Sequence, residues 1–92
     1  MTVSVDVPES WSDVATEFVR GIPDEWDELW ITSSDMLKPG GTVIELRFIR
    51  DEQYAAVAFD MPLRQSPEDS LKFCLPEVRA AFDLGHAVPC GS

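Results

Sequence analysis

The segment from Thr42 to Ile49 restricts the fold more than any other part of the chain. Val43, Glu45 and Arg47 alternate with Ile44, Leu46 and Phe48. An extended backbone therefore places a mixed set on one face and three large apolar side chains on the other, whereas a helix would scatter both sets. Such a strand belongs to a sheet with one buried face, and something apolar has to cover that face. A chain of 92 residues has material for one such core and not two, so residues 1–92 are read as a single domain.

The neighbouring segments extend the sheet. Arg50-Asp51-Glu52-Gln53 separates this strand from the β-prone run Tyr54 to Phe59, a spacing that predicts a hairpin. Upstream, Glu28, Trp30 and Thr32 alternate with Leu29 and Ile31, which predicts a strand within Trp26 to Ser33. The stretch between the two carries Pro39-Gly40-Gly41, a turn signal because proline presets φ and glycine permits positive φ. Three strands joined by short connections predict an antiparallel meander.

Two helical patterns can cover it. Trp11, Val14, Ala15, Phe18 and Val19 recur at helical spacing, with Glu9 and Asp13 near the positive end of the dipole and Gly21 placed to end the helix with a left-handed residue. Later, Ser66-Pro67 with Asp69 reads as a capped start, followed by the stripe Leu71, Cys74, Leu75, Val78, Ala81 and Phe82. Pro76 interrupts that stripe and predicts one kinked helix or two short ones, ending at Gly85. The expected fold is α+β: a three-stranded antiparallel meander, an N-terminal helix and the interrupted C-terminal helix, with residues 1–7 and 86–92 as loose tails. Its core takes in Val14, Phe18, Leu29, Ile31, Ile44, Leu46, Phe48, Val57, Leu71, Val78 and Phe82.

Charge narrows the functions open to this domain. Seventeen acidic residues against seven basic ones give a net charge of −10. That field repels nucleic-acid phosphates and anionic lipid, and it raises the encounter rate with a cationic protein surface. A basic protein partner is expected, with no direct nucleic acid and no membrane. No apolar run reaches the ~20 residues a membrane span needs, and no basic stretch followed by an apolar one opens the chain, so the cytoplasm is the expected location. Cys74 and Cys90 do not make a disulfide framework and are expected as free thiols.

Catalytic chemistry finds few candidates. His86 is the only histidine and lies past Gly85, where an ordinary surface residue is expected. Cys74, His86 and Cys90 fit none of the paired-cysteine spacings that mark zinc. Gly40-Gly41 lacks the lysine and helix start of a phosphate loop. Asp24, Glu25, Asp27 and Glu28 cluster at a link and strand edge, where acids are usually just solvated, and a domain this small has little room for two carboxylates facing across a cleft. No catalytic residue, metal or cofactor is assigned.

The aromatics say more. Trp11 fits the helix stripe and the core. Trp26 and Trp30, four residues apart on a strand, share a face with Glu28 between them. Either that face is an exposed tryptophan surface flanked by acids, as at a binding hot spot, or the second helix covers it and both residues are core.

Residues 21–31 read Gly-Ile-Pro-Asp-Glu-Trp-Asp-Glu-Leu-Trp-Ile, directly after an amphipathic helix and before a hairpin. This resembles the opening of the YezG-like immunity and antitoxin proteins, over about Trp11 to Phe59; members of that family are longer, with further strands after the last long helix. The resemblance implies an acidic inhibitor that neutralises a cognate toxin, often a nuclease, inside the producing cell. The charge, read separately, agrees, since an acidic protein can mimic the substrate of a basic phosphate-binding site. The expected partner-binding residues are Asp24, Glu25, Trp26, Asp27, Glu28 and Trp30, with Asp51 and Glu52 of the hairpin as a second acidic group. The alternative is a small phage-encoded or regulatory protein that masks a basic surface of a nucleic-acid enzyme, or an adaptor in a larger assembly.

Overall fold

The computed structural model describes residues 1–34 and 43–91. Along the chain run β1 (Thr2–Asp6), a 3-10 turn (Glu9–Trp11), α1 (Ser12–Gly21), β2 (Glu28–Ser34), β3 (Val43–Arg50), β4 (Gln53–Asp60), α2 (Pro67–Asp83) and β5 (Val88–Pro89). The strands form one sheet in the order β1-β2-β3-β4-β5, and both helices pack on the same face of it.

The antiparallel centre is the expected meander. Rows of partners cross it on the helix side: Leu29 opposite Phe48 opposite Ala55, then Ile31, Leu46 and Val57, then Ser33, Ile44 and Phe59. The alternation in each strand is what aligns these rows, because a one-residue slip would turn every apolar side chain to the other face. Phe18, Leu29, Ile31, Ile44, Leu46 and Phe48 are fully buried between sheet and helices, with Leu71 and Val78 of α2 nearly so. Val14, Val57, Phe82 and Trp11 pack against this core half-buried.

Both ends of the chain correct the expectation of loose tails. β1 pairs in parallel with β2, Val3 beside Leu29 and Val5 beside Ile31, so the 3-10 turn and α1 are the crossover of a β-α-β unit. At the far edge β5 pairs antiparallel with β4, Val88 beside Tyr54, and Ala87 is buried. The sheet is therefore five-stranded and mixed. Both edges escaped a local reading because their partners lie more than twenty residues away and neither adds a fully buried side chain from within the strand.

Three local features position the rest. α2 is capped as expected, the Ser66 hydroxyl accepting the Asp69 N–H at 3.2 Å. It then runs through Pro76 as one helix, which excludes the alternative of two short ones. Pro76 is exposed, and so is Lys72, whose carbonyl loses its usual donor and can turn to water instead. Gly21 lacks the left-handed conformation expected of it; a Cβ there would lie 2.7 Å from Leu71 Cδ1, so its smallness serves the approach of α1 to α2. Gly85, at φ 74°, does end α2 in the left-handed region. The turn expected at Pro39-Gly40-Gly41 lies outside the described residues.

Candidate functional site

Two acidic groups that are separate in sequence meet at one end of the sheet. Asp24 to Glu28 lead into β2, and Asp51-Glu52 make the two-residue turn between β3 and β4. β2 and β3 are antiparallel with Glu28 opposite Ile49, which brings the start of one beside the end of the other. The join is fixed by hydrogen bonds: the Asp27 N–H donates to the Ile49 carbonyl at 2.8 Å, and the Asp27 carboxylate accepts the Asp51 N–H at 3.0 Å. The turn is also tied to the last strand, with the Cys90 N–H donating to the Glu52 carbonyl at 2.8 Å.

That turn is strained. Asp51 and Glu52 have φ of 54° and 61°, as a two-residue hairpin turn of the primed type requires. Asn-Gly or Asp-Gly is the usual solution, because asparagine and aspartate tolerate this region and glycine enters it freely. Asp51 fits that pattern, whereas Glu52 stands in the place of the glycine.

The six acids are not equivalent. The Glu25 carboxylate takes a two-pronged hydrogen bond from the Arg79 guanidinium of α2, at 2.7 and 3.2 Å. That bond holds the Glu25 carboxyl below the usual carboxylate range, the charges of Arg79 and Arg50 adding to it against a smaller upward push from burial. Asp24 lies 3.1 Å from the terminal ammonium of Met1. Asp27 is engaged by the turn. Among the described residues no ion pair engages Glu28, Asp51 or Glu52, and the two turn residues are exposed.

The two tryptophans part company, which corrects the shared face. β2 starts at Glu28, so Trp26 sits in the bend before it and its side chain turns inward. It is 3% exposed, its ring centroid 5.2 Å from those of both Phe48 and Phe82, with the Arg50 guanidinium 4.8 Å from its centroid. Its indole N–H is buried with no acceptor among the described residues. Trp26 is core and has no free surface to offer a partner. Trp30, by contrast, is 41% exposed.

Trp30 stands on the face of the sheet that the helices leave open. Register places it opposite Arg47, with Glu28, Ile49, Tyr54 and Val88 in the adjacent row. The Arg47 guanidinium lies 4.5 Å over the Tyr54 ring and donates to Glu45 at 3.2 Å, so this cation is already committed. Glu28, Trp30, Arg47, Ile49, Tyr54, Cys90 and Gly91 enclose a shallow recess of about 220 Å³. It opens beside the acidic turn, since Cys90 contacts Glu52 through its main chain. Tyr54 and Cys90 were not expected at a site; the first is recognisable as the cross-sheet continuation of the Glu28 position, the second only through β5.

The remaining candidates lie apart from one another. Cys74 is buried on the core side of α2, and burial pushes its thiol up to about 11, while Cys90 is exposed; both are free. His86 is exposed after α2. Among the described residues no group of three His, Cys, Asp or Glu side chains is placed to hold a metal ion, and no helix is long and apolar enough to cross a membrane. The chain matches no known family model, no curated protein and no solved structure to a significant degree.

Proposed function

We propose that this domain captures a basic protein partner with its acidic end and the adjoining open sheet face, in the manner of a toxin-neutralising immunity protein. The observation that carries the reading is the Asp51-Glu52 turn. Glu52 occupies left-handed backbone where glycine is the usual residue, next to Asp51, which tolerates that region, and the turn is locked beside Asp27 and Glu28. Strain kept at a surface position is a reason to look there for function. Glu28, Asp51 and Glu52 supply charge to a partner, and Trp30 supplies a half-exposed aromatic anchor of the type enriched at binding hot spots. Glu25 and Trp26 take a different part: one holds α2 through Arg79, the other fills the core beneath.

The resemblance of residues 21–31 to YezG-like proteins points to the same class of activity, with a toxin, in some cases a nuclease, as the partner. Charge sets the mechanism. A basic surface is drawn in by the summed field, which can raise association rates by ~10- to 1,000-fold, and is then retained by apolar contact at Trp30. The test is co-expression with each basic protein whose reading frame adjoins that of this chain. Growth rescued by the native domain, and lost when Glu28, Asp51 and Glu52 become amides and Trp30 becomes Ala in one variant of unchanged melting behaviour, supports the reading. Full rescue by that variant refutes it.

A further inference from the structure

We propose that α2 also carries a self-association surface, on which two copies of this chain pair as antiparallel helices. Phe73, Pro76, Ala80 and Leu84 follow one another at steps of three, four and four residues, which is one stripe of a helix. All four are exposed, and Phe73 and Leu84, each 68% exposed, are the two most exposed large apolar side chains among the described residues. The stripe lies opposite Leu71, Cys74, Leu75 and Val78, which face the core. It faces away from the sheet, so it is on the other side of the molecule from the recess on the open sheet face.

The occupant follows from symmetry and charge. A two-fold axis crossing the stripe near its middle sets Phe73 of one copy against Leu84 of the other, and Pro76 against Ala80, the small side chains letting the helices approach at the centre. Lys72 and Asp83, eleven residues or about three turns apart, lie on the same flank of the stripe. A two-fold axis between antiparallel helices brings like flanks together, so Lys72 of each copy meets Asp83 of the other, and the contact occurs twice. Lys72 is free to exchange, because its present pair with Asp69 is exposed, 3.7 Å long and within one turn. The opposite flank brings Glu77 near Glu77 of the second copy, which opposes pairing. Four apolar side chains per copy also fall short of the ~800 Å² per partner of a standard stable interface, so the dimer is weak and reversible.

Sedimentation equilibrium of the whole chain tests this. The weight-average mass should climb from the 10.3 kDa monomer toward twice that value over roughly 10 µM to 1 mM. Phe73→Asp should keep it at the monomer value throughout. Lys72→Asp and Asp83→Lys should each weaken pairing about tenfold, and the double variant should recover to within roughly threefold of the native chain, because the pairs are remade with reversed sign. Glu77→Gln should tighten it. All four positions are exposed, so circular dichroism melts should confirm unchanged folding. A native chain that stays monomeric to about 1 mM overturns the proposal. So does self-association that survives Phe73→Asp, or a double variant as weak as either single one, since both would place any contact on another surface.

Discussion

Replacing Glu52 with glycine should make the protein more stable. At φ 61° a residue with a Cβ sits against the following carbonyl oxygen, a clash that costs about 1–2 kcal/mol and that glycine lacks. Glycine also loosens the unfolded chain, which offsets about 0.5–1 kcal/mol of that gain. The hydrogen bond that Glu52 accepts from Cys90 uses its main-chain carbonyl and survives the change. The net expectation is about 0.5–1 kcal/mol of stabilisation, or roughly 3–6 °C in melting temperature for a domain of this size. Removing a carboxylate from a crowded acidic end also relieves repulsion, so Glu52→Gln is the control: it discharges the side chain and keeps the Cβ. Thermal melts of the three proteins, followed by circular dichroism at neutral pH, separate the two effects. If Glu52→Gly melts no higher than Glu52→Gln, the turn is not held in the left-handed region, and the argument from a strained acidic turn to function fails with it.

Phe48→Ala and Trp26→Ala should each lose about 3–5 kcal/mol, since both side chains are buried in one aromatic cluster, while Trp30→Ala on the open face should melt within a few degrees of the native chain. A Trp30 variant as unstable as the Trp26 variant would show that the open face is covered. Thiol titration with a disulfide reagent at neutral pH should count one cysteine in the folded protein, Cys90, and two after denaturation, because Cys74 is buried and its thiol stays protonated far above that pH. Since Glu25 has its carboxyl lowered on folding by Arg79, its contribution is complete above the unfolded value near about 4.3 and disappears as the pH falls through the lower folded value. The stability difference between the native chain and Glu25→Gln should therefore be constant from pH 7 to about 5 and shrink toward zero below that. It should stay under about 1 kcal/mol, because the pair is half exposed. A difference that grows in acid would contradict the pairing.

How much of this was legible in the sequence depends on how local each cause is. The β3 alternation, the helical stripe of α1 and the Ser66 cap are set by residues within one or two turns of each other, and each appears where the pattern put it. β1 and β5 depend on distant partners. Val3-Ser4-Val5 does alternate, but it is paired only because α1 returns the chain alongside. Trp26 was misplaced by two residues of strand: extending β2 back from Glu28 gave it the face of Trp30, whereas the bend at residues 24–27 turns it into the core. Gly21 shows a different limit, since a helix end and a close helix contact select the same residue and only the packing against Leu71 tells them apart. The acids of the candidate site could be named from the sequence. That Asp27 and Asp51 are bonded neighbours, and that Glu25 is consumed by Arg79, required the register of β2 against β3 and the position of α2.

The central claim is that Glu28, Asp51 and Glu52 form the electrostatic face that captures a basic partner. Its most direct test is the association rate constant of that partner, identified by growth rescue, measured by stopped flow from about 50 to 500 mM salt. Three proteins are compared: the native chain, the Glu28→Gln, Asp51→Asn, Glu52→Gln variant, and a control in which the exposed helical-layer acids Asp13, Glu17 and Glu68 become amides. The account predicts that the native rate falls about tenfold or more across this range, that the site variant starts lower and falls far less, and that the control follows the native curve, because long-range attraction is screened beyond a Debye length that shrinks from about 14 to about 4 Å. Equal salt slopes for the site variant and the helical control would contradict it.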